Sequence, residues 1–327
     1  MAIFAIVGAT GVVGTKMIER LAESNLQVDK IYMMASSRSA GKVLRFRGED
    51  VVVEELNEHS FDKDIDYALF SAGGSTSLQY AEIAEKNGVI VIDNSSAWRM
   101  DPEIDLIVPE CNTPTLNRKI IANPNCSTIQ SVVPLKPLND RFGIERITYT
   151  TYQAVSGSGQ GGIDDLLNGQ RGEAPKKYPH PIYNNVLPHI DSFLENGYTK
   201  EEMKMIDETK KILSLGDDVN ITATCVRVPV INSHAVEIDV SFKKDASLEE
   251  VRDILKNAPG VVLVDNPENN EYPIPTEVTG HDEVYVGRIR KDISRPRSFH
   301  IWCVADNIRK GAASNAVQIA ELLESNR

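Results

Sequence analysis

The chain contains no apolar run approaching ~20 residues, so nothing in it reads as a membrane-spanning helix. The first predicted strand opens at Ile3, which leaves no room for a signal peptide ahead of it. Cysteines are scarce and scattered: Cys111, Cys126, Cys225 and Cys303 form no CxxC pair, which argues for a reducing compartment over a disulfide framework. Positive charge is in deficit, 35 Lys and Arg against 47 Asp and Glu for a formal −12, which argues against binding nucleic acid through a global field. Local basic groups could still hold a small anion. No repeat, low-complexity tract or obvious linker breaks the sequence. The expectation is a soluble cytoplasmic protein with a small-molecule substrate, no metal and no nucleic-acid or membrane partner. Its 327 residues suffice for two domains of about 150 each. Contents of 41% hydrophobic and 25% charged residues are ordinary for a globular enzyme.

What is present begins with a nucleotide signal. Ala2–Val7 is a continuous apolar strand of the kind buried in a parallel sheet, and it runs into Gly8-Ala9-Thr10-Gly11-Val12-Val13-Gly14 and then a helix to about Glu23. Strand, glycine turn and helix form the context that a dinucleotide fingerprint needs, although the spacing is GxxGxxG and not GxGxxG. A merely tight turn is the plainer alternative. The second strand, Lys30–Ala35, ends in Ser36-Ser37-Arg38-Ser39 with no acid to take a ribose 2′-hydroxyl, so NADP is favoured over NAD, against a simple solvated loop. Strands at 67–70 and 89–92 lead into the polar loops at 71–76 and 93–99, on the edge where open parallel sheets bind ligands. Thr76 could touch a cofactor there. Arg99 could hold an anionic group, or simply stack on Trp98.

The most informative stretch is Asn123-Pro124-Asn125-Cys126-Ser127-Thr128, which ends a short apolar strand and opens a helix running towards Asp140. A cysteine at a helix N-terminus has its thiolate stabilised by unpaired N–H groups and the dipole, and the same N–H groups could hold an oxyanion. A small buried cysteine is the plain alternative. A long strand then reaches Gln153 and a glycine-rich turn, 153–162, that could approach a ligand closely. Residues 163–190 show scattered prolines and no clean periodicity. A helix follows from Thr199 to about Leu213, with Glu202 at capping-box spacing, so Glu202 reads as a helix stabiliser and Glu201 less so. Two alternating strands, 219–226 and 235–242, place Arg227 and His234 at facing ends, a cation beside a proton carrier. Further strands and a helix over 312–324 complete the pattern.

In order, GATGVVG, SAGGSTS, IDNSSAWRMD, IANPNCSTIQ, TYQAVSGSG, NGYTKEEMKMIDETKKI, ATCVRVPV, SHA and VGRIRKD resemble the aspartate-β-semialdehyde dehydrogenase family of the bacterial type. The likeness runs from Ile3 to Ala320 and is weakest over 160–190. It implies an α/β protein: a Rossmann-like, doubly wound parallel sheet in residues 1–127, with a helix near 311–327 packing back on it. Residues 128–310 would form an α+β catalytic and dimerisation domain with a largely antiparallel or mixed sheet. The implied reaction reduces L-4-aspartyl phosphate to L-aspartate-4-semialdehyde with NADPH through a Cys126 thioester, on the route to lysine, methionine, threonine and isoleucine. A homodimer or homotetramer is implied.

By position, Cys126 matches the family's nucleophile, Gln153 the residue orienting the intermediate, and His234 the acid/base. Arg227 matches the grip on the substrate carboxylate and Glu201 the acid facing its amino group. Arg99, Lys204 and Asn125 match groups around the phosphate and acyl site. Gly8, Thr10, Gly11, Val12 and Val13 match the pyrophosphate turn, and Arg38 and Ser39 the 2′-phosphate contacts. Ser156 and Gly157 match contacts near the nicotinamide, as do Asn315 and Gln318. One departure is Ala313-Ser314-Asn315, where relatives often carry Trp before the Asn. Two other readings stay open: a related acyl-phosphate reductase such as N-acetylglutamyl-phosphate reductase, and a non-catalytic NADP-binding protein.

Overall fold

The computed structural model describes residues 2–325. Residues 1, 326 and 327, which the expected domain limits take in, lie outside the described residues. The chain divides into two compact units, residues 2–125 with 312–325, and residues 126–311. The first division falls between Asn125 and Cys126, two residues before the expected limit at 127.

The first unit opens with β1 (Ala2–Val7), α1 (Val12–Glu23), β2 (Val28–Ala35), β3 (Val43–Phe46), β4 (Glu49–Glu55), β5 (Tyr67–Phe70), α2 (Gly74–Lys86), β6 (Ile90–Asp93), β7 (Asp105–Leu106) and β8 (Ile120–Ala122). They form an eight-stranded sheet in the order β3-β4-β2-β1-β5-β6-β8-β7. Every pairing is parallel except β3 with β4. β1 sits centrally, which is why it is apolar at every position and almost wholly buried. The β3–β4 hairpin escapes the sequence pattern. Its two-residue turn is Arg47-Gly48, with φ of 49° and 91°. Type I′ turns need positive φ at both positions and favour Asn-Gly; an arginine in the first hides the signal.

The second unit comprises α3 (Cys126–Phe142), β9 (Ile144–Gln153), α4 (Gln160–Gly169), α5 (Lys200–Leu213), β10 (Asn220–Arg227), β11 (His234–Phe242), α6 (Leu248–Lys256), β12 (Val261–Leu263), α7 (Pro275–Val278), β13 (Val284–Lys291) and β14 (Ser298–Ala305). Its six-stranded mixed sheet runs β10-β9-β11-β14-β13-β12. Alternation along the strands divides its faces. Ile147, Tyr149 and Thr151 of β9 pair with Val240, Ile238 and Val236 of β11 and are all buried, whereas Tyr152 and Trp302 on the other face retain exposure. α5 begins with the expected capping box: Glu202 N–H donates to Thr199 Oγ1 at 3.2 Å and Thr199 N–H to Glu202 Oε2 at 2.7 Å. α4 begins at the end of the glycine-rich turn and runs into the unreadable stretch, and Asp165 on that helix accepts N–H bonds from Lys176, Lys177 and Tyr178.

The chain returns to the first unit through a π turn at Arg309–Ala313 and α8 (Ser314–Ser325). Ala316, Val317, Ala320 and Leu323 of α8 share a core with Met17, Ile18 and Leu21 of α1 and with Ala2, Phe4 and Ile6 of β1. Among the described residues no helix is long and apolar enough to cross a membrane.

Candidate active site

In the second unit, register brings three of the expected residues to one sheet edge. β9 lies between β10 and β11, parallel to the first and antiparallel to the second. Gln153 and Arg227, the last residues of their strands, are paired, and Ala235, next to His234, pairs with Tyr152. Val228 N–H donates to Gln153 O and Val155 N–H to Val230 O, stitching the loops beyond the edge together. Leu187 forms an isolated antiparallel bridge with Arg227, the two exchanging backbone bonds of 2.9 and 2.8 Å.

Gly157 shows how close the side chains come. A Cβ there would lie 3.1 Å from Arg227 Nη1 and 3.2 Å from both Cε1 and Nε2 of His234. One peptide serves both: Ala154 N–H donates to His234 Nδ1 at 2.9 Å, and Arg227 Nη1 donates to Ala154 O at 2.7 Å. Arg227 Nε and His234 Nε2 are buried without a partner among the described residues. Burial, reinforced by the Arg227 charge, holds the His234 pKa well below its ordinary 6.5.

Gln153 donates to Glu201 Oε1 at 3.2 Å and to Thr151 Oγ1 at 3.3 Å. Lys204 Nζ donates to Glu201 Oε2 at 3.1 Å and to Asp191 Oδ2 at 2.8 Å. Burial works against the Lys204 charge, but the two carboxylates outweigh it and raise its pKa. Glu202 has no such reach: it caps its own helix and accepts Cys225 N–H at 3.0 Å. Cys126 is the first residue of α3 and the single half-exposed cysteine of four. The others are buried, and burial pushes the Cys303 thiol up to about 12 and that of Cys225 higher still. Asn307 was not anticipated. Its Oδ1 accepts Ser233 N–H at 2.9 Å and its Nδ2 donates to Ser156 Oγ at 3.0 Å, tying the residue before His234 to the one before Gly157. Its place two residues after β14, whose last residue Ala305 pairs with His234, was the available signal.

In the first unit, Gly8, Thr10, Gly11, Val12 and Val13 form the β1–α1 turn. A Cβ on Gly14 would lie 2.1 Å from Gly8 O, and one on Gly8, where φ is +85°, would lie 2.5 Å from Ser71 O. These glycines close the turn on the protein side. One on Gly11 would meet only Gly8 O at 3.4 Å, so the front of the turn stays clear. Thr10 Oγ1 donates to Ser39 Oγ at 3.2 Å, which brings the loop of Arg38 and Ser39 beside the turn. Thr76 lies in the first turn of α2. Arg99 is buried and donates to Asn94 O at 2.9 Å. Asn123, two residues before Asn125, donates to Asn94 Oδ1 and Ala312 O and accepts from Asn315 Nδ2 at 2.7 Å. Asn315, which the resemblance sets near the nicotinamide, also donates to Ile107 O and is wholly buried, so its amide braces Asn123. Gln318 is half-buried on α8.

Residues 4–119 match the semialdehyde dehydrogenase NAD-binding-domain family, and residues 135–310 match the semialdehyde dehydrogenase dimerisation-domain family. The aspartate-semialdehyde dehydrogenase of Aquifex aeolicus is 55% identical over 330 residues, 98% of this chain and 97% of that protein. The chain belongs to the aspartate-semialdehyde dehydrogenase family. The Bacillus subtilis member is 44% identical over 98% of this chain and 96% of its own. Among solved structures, aspartate semialdehyde dehydrogenase II of Vibrio cholerae complexed with ASA superposes with a TM-score of 0.95 at 46% identity, covering 99% and 98% of the two chains. Aspartate semialdehyde dehydrogenase of Candida albicans with NADP gives 0.80 at 26% identity, over 99% and 98%. As a family member the chain is an oxidoreductase, its first unit a Rossmann-like nicotinamide-binding domain.

Proposed function

We propose that this enzyme reduces L-4-aspartyl phosphate to L-aspartate-4-semialdehyde and phosphate, with NADPH, through a thioester on Cys126. The observation that carries the reading is the second unit's sheet edge, where Arg227 Nε and His234 Nε2 are both buried and unpartnered beside Gln153. Buried donors without partners are costly unless a ligand completes them. Arg227, with Nη1 held by Ala154, keeps Nε for a side-on carboxylate grip.

The Cys126 sulfur, favoured as thiolate at a helix start, forms a bond to the acyl carbon as the bond to phosphate oxygen breaks and phosphate leaves. A bound NADPH would supply the two electrons and hydrogen that convert thioester to aldehyde level. The carbon–sulfur bond then breaks with its electron pair returning to sulfur, which restores the thiolate. The N–H groups at the start of α3 and the Asn125 amide hold the oxyanion, His234 serves the proton at its Nε2, and Gln153 orients the acyl group. Glu201 faces the substrate amino group, and Arg99 and Lys204 lie about the phosphate.

The chain's own turn fits the cofactor. The clear face at Gly11 admits a pyrophosphate at the helix start, with Gly8, Thr10, Val12 and Val13 around it. Arg38 and Ser39, with no acid at the end of β2, suit a 2′-phosphate and favour NADP. Thr76, Ser156, Gly157, Asn315 and Gln318 are assigned to further cofactor contacts. The catalytic unit, residues 128–310 in our assignment, also supplies the surface of a homodimer, through the face carrying Tyr152 and Trp302. Four free thiols suit the cytoplasm. The product feeds lysine, methionine, threonine and isoleucine synthesis.

The test is phosphate-dependent oxidation of L-aspartate-4-semialdehyde, run with NADP and NAD and in parallel with N-acetylglutamate semialdehyde. Activity on the first substrate with NADP supports the reading. Preference for the acetylated substrate, which has no free amine for Glu201, would replace it with the related reductase.

A further inference from the structure

Residues 163–190 show little pattern in sequence, yet they build a small core around Val155. Leu166, Ile182 and Leu187 are buried there with it, and Ile163 and Tyr178 pack against them. Tyr178 carries that core to the candidate site. Its ring lies over the Arg227 guanidinium, with Cζ 5.9 Å from the ring centroid. We propose that Tyr178 is a positioning residue for Arg227, its ring holding the guanidinium ready for the substrate carboxylate. This rests on the grip assigned to Arg227 above and names the group that prepares it.

The buried charge calls for such a neighbour. Among the described residues the guanidinium has one hydrogen-bond partner, Ala154 O. An arginine does not shed its proton to escape burial, so its charge needs electron density close by. A carboxylate of the protein would answer that need but would also take the place of the substrate's. An aromatic face does the first without the second. Its quadrupole attracts a cation within about 6 Å, more strongly where water is excluded. It accepts no N–H in the guanidinium plane, so Nε keeps its donor for a ligand. A guanidinium already fixed in this way has less side-chain freedom to lose when substrate arrives.

Tyr178 is itself held from three directions. Asp165, buried on α4, accepts its N–H at 2.9 Å together with those of Lys176 and Lys177 at 2.8 Å each. At the other end its hydroxyl donates to Val155 O over 3.5 Å. Gly162 leaves the room for that contact, since a Cβ there would lie 2.4 Å from Val155 O and 2.6 Å from Tyr178 Oη. The ring packs on the core that contains Leu187, whose backbone exchanges bonds with Arg227. One segment therefore holds Arg227 twice, by main chain at Leu187 and by charge at Tyr178.

The test compares two rings of nearly one shape and opposite face charge in the full chain. Tyr178→Phe keeps a negative ring face, and Tyr178→pentafluorophenylalanine reverses it. Phosphate-dependent oxidation of L-aspartate-4-semialdehyde with NADP supplies the kinetics. The fluorinated variant should show a semialdehyde KM about 3- to 30-fold above that of Tyr178→Phe. Its kcat and its KM for phosphate and for NADP should stay within about twofold, as for a group held equally in ground and transition states. Equal semialdehyde KM in the two variants, or a loss confined to kcat, overturns the proposal. Thermal melting gives a second readout that needs no turnover. With Arg227 in place the fluorinated variant should melt below Tyr178→Phe. The gap should close when each is combined with Arg227→Met, which keeps an apolar stem and removes the charge. A gap that persists unchanged reports packing without the cation and overturns the proposal. A chain inactive on the semialdehyde would sink the thioester reading, while the melts would still decide whether ring and cation are coupled.

Discussion

Replacing Arg227 with Lys tests the substrate grip most sharply, because the change conserves charge and alters only geometry. Arg227 is 4% exposed, donates from Nη1 to Ala154 O at 2.7 Å, and holds Nε buried without a partner among the described residues. A guanidinium can bond the carbonyl with one nitrogen and grip a carboxylate side-on with the other edge. An ammonium must divide one small donor head between two places. The variant should therefore lose one charge-assisted bond to the substrate, about 1.5–3 kcal/mol. That corresponds to a rise of about 10- to 150-fold in KM for the semialdehyde, at 1.4 kcal/mol per tenfold. If the carboxylate is held equally in ground and transition states, kcat should fall far less than kcat/KM. Initial rates of phosphate-dependent semialdehyde oxidation measure both, with NADPH binding by fluorescence and a thermal melt as controls for folding. A KM within twofold of the parent would remove Arg227 from the role. A rise in the KM for phosphate alone would move it to the phosphate site.

Cys126→Ala should abolish turnover and the stoichiometric release of phosphate on mixing with aspartyl phosphate, while NADPH binding persists; a surviving burst would place the nucleophile elsewhere. Gly14→Ala sets a Cβ 2.1 Å from Gly8 O and should destabilise the protein by about 1–3 kcal/mol, seen as a melt lowered by several degrees. Gly11→Ala meets only a 3.4 Å contact and should leave the melt near the parent while weakening NADPH binding, and an unchanged dissociation constant would disprove the pyrophosphate assignment. The depressed His234 pKa means that the unfolded chain binds more protons below about pH 6.5. Stability contributed by this group is present above that pH and lost below it, by up to about 1.4 kcal/mol per pH unit. Denaturant titrations from pH 7 to pH 5 should accordingly show a shallower decline in His234→Gln than in the parent. Identical slopes would show that the ring protonates within the fold.

The parts of the fold readable in advance are those whose causes are local. The apolar run of β1, the glycines after it and the α1 helix are consecutive, and the reason for each glycine lies within a few residues of it, as the Gly14–Gly8 approach shows. Thr199 and Glu202 announce the start of α5 for the same reason, since a capping box is closed by residues three apart. Where local cues were masked, legibility failed. Arg47 occupies a positive-φ turn position that sequence statistics assign to Asn or Asp, and α4 lies where glycines and prolines crowd.

The order of residues and their chemistry were enough to expect a Rossmann-like α/β unit and an α+β unit, the glycine turn, a cysteine at a helix start and the set of polar side chains that could accompany it. Whether those side chains meet was decided by tertiary structure. Strand β9 enters between β10 and β11, and only that non-local pairing sets Gln153 beside Arg227 and brings both to the end where His234 begins. The setting of the His234 ring depends in turn on a backbone amide 80 residues away in sequence, which donates to its Nδ1. A main-chain N–H carries no residue identity, so no reading of side-chain types could have found it.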